Sequence, residues 1–183
     1  MSWSNFKSTL LPLMQSHAYG NDLDKFAEIF TISYDIAIKS GGDMINNVPL
    51  VNGNIILMQQ TLSNLLKQTQ NSKVVTFLEV VGPAVMMYWV GAKLSNVPPP
   101  IVPPIGAIKN ITTTSAIVLN TGTWNINKVG PNNDPSQFLD AFILSAKLHL
   151  MSVGGIFSVI AQYPPPAPPS PGVIKWEGYK VTD

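Results

Sequence analysis

Proline fixes its own backbone torsion, lacks an amide hydrogen and restricts the residue before it, so a dense run of it forms neither a helix interior nor a central strand. This chain carries such a run twice. Pro98-Pro99-Pro100-Ile101-Val102-Pro103-Pro104-Ile105-Gly106-Ala107-Ile108-Lys109 returns 66 positions later, without a gap, as Pro164-Pro165-Pro166-Ala167-Pro168-Pro169-Ser170-Pro171-Gly172-Val173-Ile174-Lys175. Both copies follow a long apolar segment. Biased composition alone produces chance matches. The shared Gly-apolar-Ile-Lys ending makes the pair read as a duplicated structural unit of apolar helix, extended polyproline strap and short strand. At about 3.1 Å per residue, some eight residues of polyproline II span roughly 25 Å.

The chain has 183 residues, enough for one domain or for one domain made of two related halves, and enough to bury a core. Only 11% of residues are charged, against roughly 25% in a typical soluble domain, and the net charge is +1. Asn, Ser, Thr, Gln and Pro fill the gap, giving a surface that is polar yet weakly self-repelling. Such a surface protects a free monomer poorly against association, which points to an obligate assembly, either a homo-oligomer or a complex with other structural proteins.

All eleven basic residues are Lys. Arg is the usual side chain for a bidentate grip on phosphate or guanine, and these lysines are scattered, so sequence-specific nucleic-acid binding is disfavoured. The absence of Cys removes disulfides, thiolate metal sites and thiol nucleophiles together. The opening residues, Met1-Ser2-Trp3-Ser4-Asn5-Phe6-Lys7, lack the pattern of a secretory signal. Two windows are strongly apolar, 74–94 and 141–162, but the first contains Glu79 and Gly82-Pro83 and the second Lys147 and His149. Ionisable groups cost about 2.5 to 3.5 kcal/mol each at the centre of a membrane helix. Buried core helices therefore explain both windows better than membrane spans.

The expected fold class is α+β and α-rich: apolar and amphipathic helices, a small β component and two extended polyproline straps. The divisions expected are a helical region over 1–97, the first strap over 98–109, a small β region over 110–133, a long helix over 134–163, and the second strap with a C-terminal arm over 164–183. Within the helical region, a segment through Gln15 is limited by Pro12. A second helix is capped by Asn21 or Asp22, carries Phe26, Phe30, Tyr34 and Ile38 on one stripe, and stops at Lys39 and Gly41-Gly42. A third begins near Asn54, and a fourth over 73–93 is expected to kink or break at Gly82-Pro83. The β-branched run from Ile108 to Leu119 reads as two short strands or a hairpin, extended by Trp124 to Ile126. Asp134-Pro135-Ser136-Gln137 reads as an N-cap, a proline at the first helical position and a closing Gln.

Groups able to do acid-base chemistry are few. His17 lies in a polar approach to the second helix and His149 on an apolar helix, where a core or interface histidine is the default. Asp22, Asp24 and Glu28 gather at a helix start, where the helix dipole favours negative charge. Glu79 is expected to reach outward or to pair with Lys. No catalytic, metal or cofactor site is nominated, and the chain is read as a non-enzyme. The candidate contact residues are Pro98, Pro99, Pro100, Pro103, Pro104, Trp124, Pro164, Pro165, Pro166, Trp176 and Tyr179, with Trp3 as a further anchor. The straps also contain PxxP spacings of the kind that recognition domains bind.

Two segments, Phe77 to Leu94 with the strap after it and Ser152 to Tyr179 around the second strap, resemble small structural proteins of tailed-bacteriophage particles. Such proteins combine low charge, abundant Asn, apolar helices and Pro-rich arms. The resemblance implies a virion subunit of a capsid, connector, tail or baseplate, and carries no residue roles with it.

Overall fold

The computed structural model describes residues 2–16, 22–45, 47–69, 77–95, 110–126, 134–164, 168–181 and 183. The first strap and its Gly106-to-Lys109 ending, with His17, Pro165 and Pro166, lie outside these residues. Among the described residues the chain is α+β and α-rich, with five helices and three small antiparallel sheets.

Helix α1 (Trp3–Ser16) runs through Pro12, and α4 (Phe77–Tyr88) runs through Pro83. The expected stop at Pro12 and break at Gly82-Pro83 are thus corrected. Proline deprives the carbonyl four residues earlier of its donor. Both prolines are exposed, and so are Ser8 and Glu79, whose carbonyls would have received those bonds. The orphaned carbonyls lie on the solvent face, where water replaces the missing donor.

Helix α2 (Leu23–Lys39) matches its sequence signals closely. The Asp22 carboxylate accepts from Lys25 N at 2.9 Å as its N-cap, and Lys39 ends it. Phe26, Phe30, Tyr34 and Ile38 are buried. Helix α3 (Ile55–Thr69) buries Met58, Leu62 and Leu66, and α5 (Pro135–Ser152) starts from Asp134, whose carboxylate accepts from Ser136 N at 2.9 Å. An aromatic layer joins these helices. Phe142 of α5 sits 5.2 Å from Phe6 of α1 and 4.9 Å from Phe30 of α2, ring centre to ring centre, and Tyr34 lies 5.0 Å from Tyr88 of α4. The Phe6–Phe142 pair is stacked and the other two are edge-to-face, and aromatic pairs of both kinds add about 0.5 to 1.5 kcal/mol each beyond the area they bury.

The long helix expected over 134–163 is corrected. It stops at Ser152, and Val153–Gln162 is a strand, β5 by chain order. The cap residue Val153 already has extended torsions, φ −73° and ψ 141°. Two glycines disfavour helix by about 1 kcal/mol each relative to alanine, and the residues after them alternate. Val153, Gly155, Phe157, Val159 and Ala161 are buried, while Ile160 and Gln162 are exposed.

Six further strands are β1 (Gly42–Asp43), β2 (Leu50–Asn52), β3 (Lys93–Leu94) and β4 (Asn110–Thr121), followed after β5 by β6 (Ser170–Glu177) and β7 (Tyr179–Lys180). The main sheet has the order β4-β5-β6, all antiparallel. The region expected to form two strands or a hairpin is therefore a single twelve-residue strand whose partner is β5, and Trp124 to Ile126 do not extend it. Its register slips between Thr113 and Ser115 and again between Val118 and Asn120. The described end of the second strap is not a free arm either, because Ser170 and Pro171 pair with Ala161 and Ile160. Proline is tolerated there because β6 is an edge strand. Gly155 meets β4 at very close range: a Cβ there would lie 1.9 Å from the Ile117 carbonyl oxygen. Two small pairs, β1 with β7 and β2 with β3, tie the strands to the helical layer.

Candidate functional site

Several buried polar groups hold the fold together, while Trp3 Nε1, Thr31 Oγ1, Thr113 Oγ1, His149 Nδ1 and Trp176 Nε1 are buried without a hydrogen-bond partner among the described residues. The Tyr88 hydroxyl donates to Asp35 at 2.7 Å, and Lys39 donates to the same carboxylate at 2.8 Å. Burial first, and then the neighbouring Asp35 charge, push the Tyr88 hydroxyl well above the usual phenol range, so it remains a donor. Trp89 Nε1 donates to the Tyr34 hydroxyl at 3.3 Å. Asp43 closes its own turn, accepting from Ile45 N at 3.1 Å and Val48 N at 2.8 Å. At the start of α2, Asp24 accepts from Lys67 at 2.7 Å and from Ser63, and these two bonds lower its pKa, the lysine more than the serine.

His149 is fully buried on α5. Its Nε2 lies 2.8 Å from the Thr121 carbonyl oxygen, which can only accept, so Nε2 carries a hydrogen. Burial lowers its pKa from 6.5 to about 4, against a smaller upward pull from the Thr121 carbonyl. Gly122, with φ of +80°, leaves no room for a side chain beside it: a Cβ would sit 2.8 Å from His149 Nε2. The histidine is thus a buried tie between α5 and the end of β4. Glu79 is exposed in the first turn of α4, as expected of an outward-reaching carboxylate there. Among the described residues, no cluster of three or more His, Asp or Glu is placed to hold a metal ion.

The aromatic contact residues are relocated by the structure. Trp3, Trp176 and Tyr179 are buried in this chain's own core and cannot anchor a neighbour. Trp176 lies on the inner side of β6 opposite Gly155, and the Tyr179 hydroxyl donates to Ile38 O and accepts from Leu50 N, both at 2.9 Å. Trp124 is half-buried, donates to Leu78 O at 3.2 Å, and packs 5.7 Å from Phe142. Pro164 is exposed. The 141–162 window divides between a helix and a strand, and no described helix is long and apolar enough to cross a membrane.

One exposed apolar surface is the outer face of the main sheet, apart from the separate exposed residues Val51, Ile56 and Val90. Leu119 is 65% exposed and Val173 63%, with Ile117 and Ile160 also exposed. The register places Ile117 beside half-buried Ile156, Ile156 beside Lys175, and Ser158 beside Val173, so these residues form one continuous face across three strands. At one end of that face, Gly154 leaves a trough of about 360 Å³ flanked by Leu119, Met151, Lys175 and Glu177. Met151 belongs to an outward row on α5 with Leu144 and Leu148, so the apolar surface continues from sheet to helix. None of these residues was among the contact residues expected from the sequence, although Val173 and Lys175 belong to the repeated Gly-apolar-Ile-Lys ending. The signal that marks them is apolar character at both parities of a strand.

The chain matches no protein-family model, no curated protein and no solved structure.

Proposed function

We propose that the protein is a non-enzymatic structural subunit of a large assembly, and that a virion is the setting its sequence style best fits. The observation that carries this reading is the exposed apolar surface running from the outer face of β4, β5 and β6 to the α5 row of Leu144, Leu148 and Met151. Monomeric proteins seldom leave contiguous apolar patches of this kind uncovered. A chain with 11% charged residues and a net charge of +1 has little repulsion to keep copies apart.

The reading now rests on this surface more than on free arms. Deleting residues 164–183 would remove β6, β7, Trp176 and Tyr179, and would test folding rather than docking. The discriminating measurement is the mass of the purified native protein by light scattering after size exclusion. Self-association or co-purification in a defined high-mass complex is expected. A well-behaved monomer over a wide concentration range would count decisively against an assembly role.

A further inference from the structure

The outer face of the main sheet is complementary to itself. Leu119 falls where the register between β4 and β5 slips, and the irregularity leaves it standing out as a knob. Beside it, the trough over Gly154 is a hole, because the central strand carries no side chain on its outer face at that position, opposite Glu177. Charge follows the same logic. The three strands carry only two charged side chains, Lys175 and Glu177, two residues apart on the same side of β6. Neither takes part in an ion pair among the described residues, a state Lys175 shares with Lys93 and Lys180, whereas Lys7, Lys25, Lys39, Lys67 and Lys147 are all paired. Of the ten acidic residues, Glu177 alone makes no described cap, ion pair or other bond.

A surface holding a knob and a hole, and a plus and a minus, with apolar groups between them, meets the requirement of a twofold interface, in which one patch faces a second copy of itself. We propose that two copies of this chain join through the outer face of β4, β5 and β6, with Leu119 of each seated over Gly154 of the other and Lys175 of each opposite Glu177 of the other. Face-to-face packing of antiparallel sheets accommodates such interdigitation. The α5 row extends the contact beyond the sheet, toward the roughly 800 Å² per partner that a stable interface buries. The inference deepens the assembly reading and rests on it.

The test uses the full chain and three sets of variants, with mass measured by sedimentation equilibrium and folding monitored by circular dichroism and thermal unfolding. Leu119→Lys is expected to weaken pairing about a hundredfold, as loss of a central anchor does. Lys175→Glu and Glu177→Lys alone each place like charges across the axis and weaken pairing about tenfold, while the double exchange returns it to within about threefold of the original. All three sites changed are exposed, so the fold is expected to survive. Rescue by the double exchange cannot arise from misfolding. Association that ignores Leu119→Lys and both single reversals would overturn this surface and leave the assembly reading standing. A wild-type chain still monomeric at about 100 μM, where an interface of standard size is populated, would overturn both.

Discussion

Among the described residues of the five helices, every charged side chain is occupied. Lys7 meets Asp140, Lys25 meets Glu28, Lys39 meets Asp35, Lys67 meets Asp24, Lys147 meets Asp183, and Glu79 too has an interaction. The sheet differs on both counts: it places apolar residues on its inner and outer faces, and it leaves its single lysine and single glutamate without partners. Exposed ion pairs contribute little to stability, about 0 to 1 kcal/mol each. Among the described residues, Lys93 of β3 and Lys180 of β7 also lack an ion pair, so what sets the main sheet apart is the exposed apolar face around Lys175 and Glu177.

The contrast breaks most readily at the aromatic layer. Phe142→Ala removes the ring that touches Trp3, Phe6, Phe30 and Trp124, and is expected to cost about 4 kcal/mol, read from the shift of a urea unfolding curve at constant slope. A loss below about 1 kcal/mol would mean that the layer is not the core.

Acid acts next, at the tie between the two regions. In the unfolded chain His149 takes up its proton near pH 6.5, but in the folded chain only near 4. Between those values the unfolded state holds more protons, so this histidine leaves stability intact above pH 6.5, erodes it as pH falls through the window, and adds no further loss below about 4. The full erosion amounts to about 3 kcal/mol. His149→Gln keeps a donor for the Thr121 carbonyl and should flatten that part of the stability profile, as measured by unfolding between pH 7 and 4. An unchanged slope would assign the acid sensitivity to other groups.

The smallest effect sharpens the comparison from the sheet side. Val173→Thr on the outer face should alter monomer stability by less than about 0.5 kcal/mol, measured by thermal unfolding at high dilution. A penalty above about 1.5 kcal/mol would show that the outer face serves the monomer's own core.

The sequence made α2 legible because three independent signals agree there, the Asp22 cap, the stripe through Phe30 and Tyr34, and Lys39 at the end. The start of α5 was legible for the same reason, its cap and proline lying side by side at Asp134-Pro135. The end of α5 was not. Ile156 and Ile160 add apolar residues to the outer face of β5, which hides the alternation of Val153, Phe157 and Val159 and makes the stretch look apolar on every side, as a buried helix would. The feature that obscured the strand is therefore the feature that marks the proposed interface. Strand content in β4 was readable from its β-branched residues, whereas its partner lies more than thirty residues away and leaves no local trace. Trp176 and Tyr179 looked like exposed anchors because prolines precede them. Their burial follows from long-range pairing, Trp176 with β5 and Lys180 with Gly42.

Tyr179 also bears on the order of folding. Its hydroxyl bridges Ile38 and Leu50 across separations of 141 and 129 residues. Contacts between distant residues must first meet the entropy of closing the intervening loop, which slows their formation relative to helical turns. The bridge belongs to the late stage of refolding, after α2 and α3 have turns of their own. Because its ring lies 5.3 Å from Trp89, indole fluorescence should report the moment when the two ends of the chain become one structure.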